Sequence, residues 1–439
     1  MDISIVDHSD VEKEIHVTLT QDELKPHFDK AYKREQAKVE IKGFRKGKAP
    51  LEMVKRLYGE AIEYEALDDI ANEVFREIIT ERKIFPIGEP SLTDIKFKPN
   101  EPLVFSVKYE VNPPIELKEY KGITVDKIIH HVTDDEFEDE ILRIQKANST
   151  LAEVQTATDD EHIVTVDIQD LDDNGTPLIG KKSSGTRIYL AEETIAPEIR
   201  YALQGVALNE SRKVSFEMEH GDHKHMNNWE LTATKIEQVT IPELNDEFVK
   251  KATRLKVSTV AEFRENVKTD LERYWIETTD QHLKDNIIGE IVRRHEFTVP
   301  NALIKSLTDA RLDEMKKQNP SKELPEGFNE KEYREKYQPY ATFQAKWYLI
   351  RDNIIEKEQL NVTDAELEKR AEEDAPKMSI EKDRLLAFYK NSDALKDRIT
   401  NEKLMNFLIE NSVITEKIDE PEGEDMFAGL PMDEVEEQK

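Results

Sequence analysis

Three clusters in this chain hold residue types able to do chemistry. The sharpest is Gly43-Phe44-Arg45-Lys46-Gly47-Lys48-Ala49-Pro50. Between Lys42 and Arg56 stand six bases (Lys42, Arg45, Lys46, Lys48, Lys55, Arg56) and one acid, Glu52, a local charge of +5 in a chain of −31. Two glycines let the backbone turn sharply, and Pro50 suits the first turn of a following helix. Phe44 then falls at a tip between helices, flanked by cations. An exposed aromatic beside charges makes a small docking site, an apolar anchor with electrostatic steering. The same residues also fit an ordinary helix–helix loop with a buried Phe, and composition divides the two readings evenly.

The second cluster is His220, His223 and His225 with Asp222. Neutral imidazoles bind zinc or nickel, but the irregular spacing reads as a solvated loop tip. His130-His131 is weaker still. The third, Asp170-Leu171-Asp172-Asp173-Asn174-Gly175, imitates the start of a calcium loop. Its twelfth position is Lys181, where a bidentate Glu is needed. Asn174-Gly175 therefore reads as a hairpin turn.

Much chemistry is missing. The chain has no cysteine, so disulfides, thiolate metal sites and cysteine nucleophiles are excluded. There is no phosphate-binding Gly-rich loop, no GxGxxG, no HExxH and no GxSxG. No cofactor and no metal is expected. With 94 acids against 63 bases, the surface as a whole does not suit nucleic acid, although a local basic patch does. Residues Met1 to His8 have neither the basic nor the apolar region of a secretory signal. No apolar run approaches the ~18 residues of a membrane helix. A soluble, cytoplasmic protein without a membrane partner is expected.

The elements that must position the docking segment follow from periodicity. At roughly 150 residues per domain, 439 residues suggest about three domains. Ile3, Ile5, Val11, Ile15, Val17 and Leu19 alternate as strands do. Thr20-Gln21-Asp22-Glu23 is a capping box for a helix burying Leu24, Phe28, Ala31 and Tyr32. A second helix is expected over 51–58, stopped by Gly59, and a third over 60–82. Strands follow near 91–97 and 103–111, and Asn112-Pro113-Pro114 marks a boundary. An extended stretch, a helix from Asp135 and a β-rich block lead to Pro242. The remainder reads as helices, one of them carrying Pro339 and so kinked or broken there. Residues 416–439 hold ten acids and two bases and read as a disordered acidic tail.

The docking segment resembles the ribosome-docking signature of bacterial trigger factor, matching its G-F-R-x-G-x-x-P pattern completely. Ile241-Pro242-Glu243-Leu244 with Asp246-Glu247-Phe248 resembles the junction after that family's insert. Val299-Pro300-Asn301-Ala302-Leu303-Ile304 resembles the start of an arm helix. The resemblance spans nearly the whole chain. It implies an α+β multidomain fold: an α/β ribosome-docking head (1–112), a linker strand and helix (113–152), an FKBP-like insert (153–240), a helical chaperone domain (241–415) and the tail (416–439). It also implies an ATP-independent chaperone docked beside the nascent-chain exit of the large ribosomal subunit and holding unfolded polypeptides. Gly43, Phe44, Arg45, Lys46 and Gly47 fall on the docking residues. Arg45 and Lys46 would meet rRNA phosphates and an exit-site ribosomal protein, with Phe44 in a shallow apolar site. A homodimer off the ribosome is in keeping with the family.

The insert implies a prolyl isomerase. Such a pocket favours the twisted prolyl amide over the planar one, lowering a barrier of ~18–20 kcal/mol without acid–base chemistry. Aligned through its flanks, the usual strand Phe falls on Ile168. The usual Pro-Gly-Phe-Glu falls on Pro197-Glu198-Ile199-Arg200, and the flap Tyr falls near His220. Trp229 alone remains aromatic, so the pocket candidates are Ile168, Ile199 and Trp229, and activity is left open.

Overall fold

The computed structural model describes residues 1–41, 44–172, 174–192, 194–220, 223–319, 321–325 and 327–419, with the side chains of 218–220 and 223–225 outside that description. The chain divides into two compact units. One comprises Met1–Ile128 and the segment from Asp280 onward; the other is Ile129–Thr279.

The first unit begins with β1 (Asp2–Asp7), β2 (Glu12–Leu19), α1 (Gln21–Gln36), α2 (Leu51–Glu81), β3 (Ile87–Lys96) and β4 (Leu103–Glu110). The antiparallel sheet has order β1-β2-β4-β3. Ile15, Val17 and Leu19 alternate toward the core with Leu103, Phe105 and Val107. The Thr20 capping box forms, its N–H donating to Glu23 Oε2 at 2.9 Å. Leu24, Phe28, Ala31 and Tyr32 are buried as their spacing requires.

Two separate helices over 51–82 are not found. Gly59 lies inside the single helix α2. One internal glycine costs about 1 kcal/mol relative to Ala. The buried stripe Val54, Ile62, Ala66, Ile70 and Val74 continues in phase across it and outweighs that cost.

After an extended linker, β5 (Thr124–Ile129) closes this segment. In the second unit, α3 (Asp134–Ala147) is followed by β6 (Thr150–Glu153), β7 (His162–Leu171), β8 (Pro177–Tyr189), α4 (Pro197–Leu203), β9 (Ser211–His220) and β10 (His223–Thr240). The sheet has order β6-β10-β7-β8, with β9 also on β10. Then come α5 (Asp246–Ala252) and α6 (Val260–Arg294). Phe248, Val249, Phe263 and Val267 pack with Ile141 of α3 in a small core.

The first unit resumes within α6 and continues through α7 (Asn301–Gln318), α8 (Glu330–Glu358), α9 (Asp364–Met378), α10 (Lys382–Asn391), α11 (Asp393–Glu410) and β11 (Val413–Ile418). Helix α8 is unbroken at Pro339, with Tyr333 buried before it and Ala341, Ala345 and Leu349 after it. Its packed face offsets the missing N–H. Leu283, Ile287 and Ile291 pack with Tyr120, Ile123, Ile350, Ile354, Leu404 and Leu408.

The tail does not begin at Glu416 as the charge run suggests, because Glu416–Ile418 belong to β11, which pairs with β5. Lys417 Nζ donates to Asp126 Oδ2 at 2.6 Å, and Val413 N–H to Ile123 O at 2.8 Å. Residues 420–439 lie outside the description.

Candidate functional site

The segment between α1 and α2 is held by its two ends. Buried faces pack the helices together, and three ion pairs cross between them: Lys55–Asp29 at 2.7 Å, Arg34–Asp69 at 2.8 Å and Lys30–Glu73 at 2.6 Å. Tyr32 donates its hydroxyl to Glu63. Burial and that carboxylate hold the phenol protonated well above its usual range. The Lys55 ammonium holds the Asp29 carboxyl below the ordinary carboxylate range.

Within the loop, Ile41 and Ala49 are buried anchors. Gln36 Nε2 donates to Ala49 O at 2.6 Å. Phe44 N–H donates to Ile41 O at 3.0 Å, and Lys48 N–H to Arg45 O at 2.9 Å. Gly47 has φ +75°, and a Cβ there would lie 3.1 Å from Ala37 O. Glycine is therefore required on two counts, backbone sign and space.

The anchors leave Phe44 40% exposed, a large apolar ring in solvent. Arg45, Lys46 and Lys48 are exposed as well, and none has an ion pair among the described residues. Unpaired guanidinium and ammonium groups beside an exposed ring suit an anionic surface with an apolar dimple. Lys42 and Gly43 lie outside the described residues.

In the insert, Ile168, Ile199 and Trp229 are brought to one apolar cluster. Ile168 of β7 lies opposite Leu231 of β10. Ile199, 8% exposed, sits in α4, where Pro197 starts the helix. Trp229 meets Phe216 of β9 edge-on, ring centroids 4.6 Å apart. This cluster belongs to the insert's hydrophobic core, with Arg200 beside it donating from Nη2 to Glu192 O at 2.8 Å.

The model for the N-terminal domain of bacterial trigger factor protein matches residues 1–144, and that for its C-terminus matches 259–410. Trigger factor of Chloroherpeton thalassium is 32% identical over 370 residues, covering 84% of this chain and 86% of its own. The chain belongs to the bacterial trigger factor family. Trigger factor of Salinibacter ruber is 28% identical, covering 95% of each chain. That of Chlorobaculum parvum is 27% identical, covering 95% of this chain and 98% of its own. As a trigger factor, this chain is a chaperone of protein folding.

The other two clusters part ways. Asp172 Oδ1 accepts from Asn174 N–H at 2.9 Å and Thr176 N–H at 2.8 Å, and Gly175 has φ +78°, so the calcium-like segment is the β7–β8 hairpin turn. The side chains of His220, His223 and His225 lie outside the description. Among the described residues no group of three His, Asp or Glu is placed to hold a metal, and no helix is long and apolar enough to cross a membrane. His130 is bound to Glu136 at 2.9 Å and stacked on Trp275 at 3.8 Å.

Sequence reasoning missed Phe216 as the partner of Trp229. Its signal was present: Val214 and Phe216 alternate inward along β9.

Proposed function

We propose that the loop carrying Gly43, Phe44, Arg45, Lys46 and Gly47 docks this trigger factor on the large ribosomal subunit in the cytoplasm. There it holds newly made polypeptides as they leave the exit. Arg45 and Lys46 contact rRNA phosphates and an exit-site protein, and Phe44 enters an apolar site. The observation carrying this reading is an exposed Phe44 next to Arg45, Lys46 and Lys48, which have no ion pair among the described residues, on a loop whose two ends are anchored. Each phosphate contact releases condensed counterions, so affinity falls with salt by a log–log slope of about 0.7–0.9 per contact.

Co-sedimentation with ribosomes across a salt series tests it. Phe44→Ala/Arg45→Ala/Lys46→Ala is expected to weaken binding at least about tenfold, the equivalent of roughly 1.4 kcal/mol, and to flatten the salt slope. Unchanged binding would sink the reading.

A subsidiary reading is prolyl isomerisation by the insert at Ile168, Ile199 and Trp229. It rests on Ile168, Ile199 and Trp229 meeting in one apolar cluster, with Trp229 packed on the Phe216 ring. The full chain, at catalytic concentration, would then speed isomerisation of a short prolyl peptide, and Trp229→Ala would remove that rate. No acceleration by the unsubstituted chain ends this second reading.

A further inference from the structure

Residues 420–439 contain eight acids and one base, and at their centre stands Met426-Phe427-Ala428-Gly429-Leu430-Pro431-Met432. A segment serving only as a solubilising charge has no use for that apolar centre. Apolar residues bracketed by carboxylates are the chemical complement of Phe44 bracketed by cations. The loop's own cations also lack carboxylate partners among the described residues. Around it Lys30, Arg34, Lys38 and Lys55 are each held by a carboxylate, at 2.6 to 2.8 Å. Among the described residues Arg45, Lys46, Lys48 and Arg56 have no ion pair.

We propose that segment 420–439 is a competitor built into the chain for its own docking loop. The apolar centre covers Phe44, and the flanking carboxylates pair with Arg45, Lys46 and Lys48. This rests on the docking reading and adds regulation to it: off the ribosome the loop is masked, and rRNA phosphate displaces the tail. The segment is tethered to the same chain as the loop, and its twenty residues reach at most ~70 Å beyond β11. Tethering makes the contact intramolecular, so a modest intrinsic affinity is enough. Weak, salt-sensitive masking is the expected regime, because exposed ion pairs are screened within about 8–10 Å.

Three full-length proteins are compared by ribosome co-sedimentation with a chain ending at Asp419: the unsubstituted chain, Phe427→Ser/Leu430→Ser/Met432→Ser, and Arg45→Ala/Lys46→Ala/Lys48→Ala. In parallel, a fluorescent peptide of sequence 420–439 is titrated with the chain ending at Asp419, with and without the loop substitutions. Loss of the tail or of its apolar centre should raise ribosome affinity roughly three- to tenfold at low salt. The peptide should bind saturably, and the loop substitutions should weaken it about tenfold. Equal ribosome affinity with and without the tail would overturn the proposal. So would peptide binding that survives the loop substitutions, which would place the tail on another surface. If the loop variant binds ribosomes like the unsubstituted chain, the docking reading itself fails. If that variant is impaired but the tail has no effect, only the masking proposal fails.

Discussion

Gly88 stands directly against Ala302. A Cβ built on Gly88 would lie 2.5 Å from the Ala302 Cβ, and Gly88 itself has φ +70°. Beside this contact Ala302 N–H donates to Glu110 Oε2 at 2.7 Å, so the start of α7 is seated on β3 and β4 by one bare glycine and one charged acceptor. Gly88→Ala is expected to cost about 1–2 kcal/mol for the left-handed backbone and a further ~1–3 kcal/mol for the clash. Gly122→Ala, at the same φ but with open space around it, is expected to cost the backbone part alone. Urea unfolding of both variants separates the two costs; equal losses would mean the Ala302 contact yields freely.

A buried histidine ties the linker to α6. His295 is 2% exposed; its Nδ1–H donates to Ile291 O at 2.7 Å, and its Nε2 accepts from Lys118 N–H at 2.9 Å. The two bonds fix the tautomer. His295→Phe fills the volume but leaves a backbone donor without its acceptor, an expected loss of about 1–3 kcal/mol. His295→Gln keeps one donor and one acceptor and should recover part of it. A Phe variant as stable as the parent in chemical denaturation would refute the assignment.

Acid sensitivity should be written at the start of α9. Glu366 binds Lys403 at 2.8 Å and caps Thr363, whose N–H donates at 2.7 Å. The ammonium first, and then the Thr363 backbone bond, lower its carboxyl from 4.5 to about 2. A carboxyl lowered on folding stabilises above its unfolded value, so this contribution is whole above pH 4.5 and is lost as pH falls toward 2. Glu366→Gln is expected to lower Tm near neutrality and to make the decline between those values shallower. A Tm profile parallel to that of the parent would contradict it.

What was legible in the sequence was what is local. Thr20-Gln21-Asp22-Glu23 carries its cap in four residues, and it forms. Thr133 and Glu136 cap α3 in the same way, with the Thr133 hydroxyl accepting from Glu136 N–H at 3.2 Å. Gly59 misled because a lone glycine weakens a helix without ending it when the buried stripe persists. β11 was hidden because its partner, β5, is nearly three hundred residues away, and the acidic run after it masks a short apolar strand. Exposure of Phe44 was undecided by composition: burial depends on Ile41 and Ala49 taking the anchoring positions instead, and nothing in their types alone says so.

Those anchors give the proposed docking loop a geometric test independent of its charges. Gly47 combines φ +75° with Ala37 O 3.1 Å from where a Cβ would be. Gly47→Val adds a branched side chain at a backbone sign that such residues avoid, so the turn from Arg45 to Lys48 must reorganise. The strain is confined to a surface loop, and α1 and α2 keep their buried faces and ion pairs. Global stability should therefore fall by only about 1–3 kcal/mol. Ribosome affinity should fall several-fold although Phe44, Arg45 and Lys46 are all retained, because an aromatic anchor and its flanking cations act only when presented together. Paired measurements of Tm and co-sedimentation decide it. A stable Gly47→Val variant that still binds ribosomes at full affinity would mean the loop's charge alone suffices, and that its anchored shape plays no part in docking.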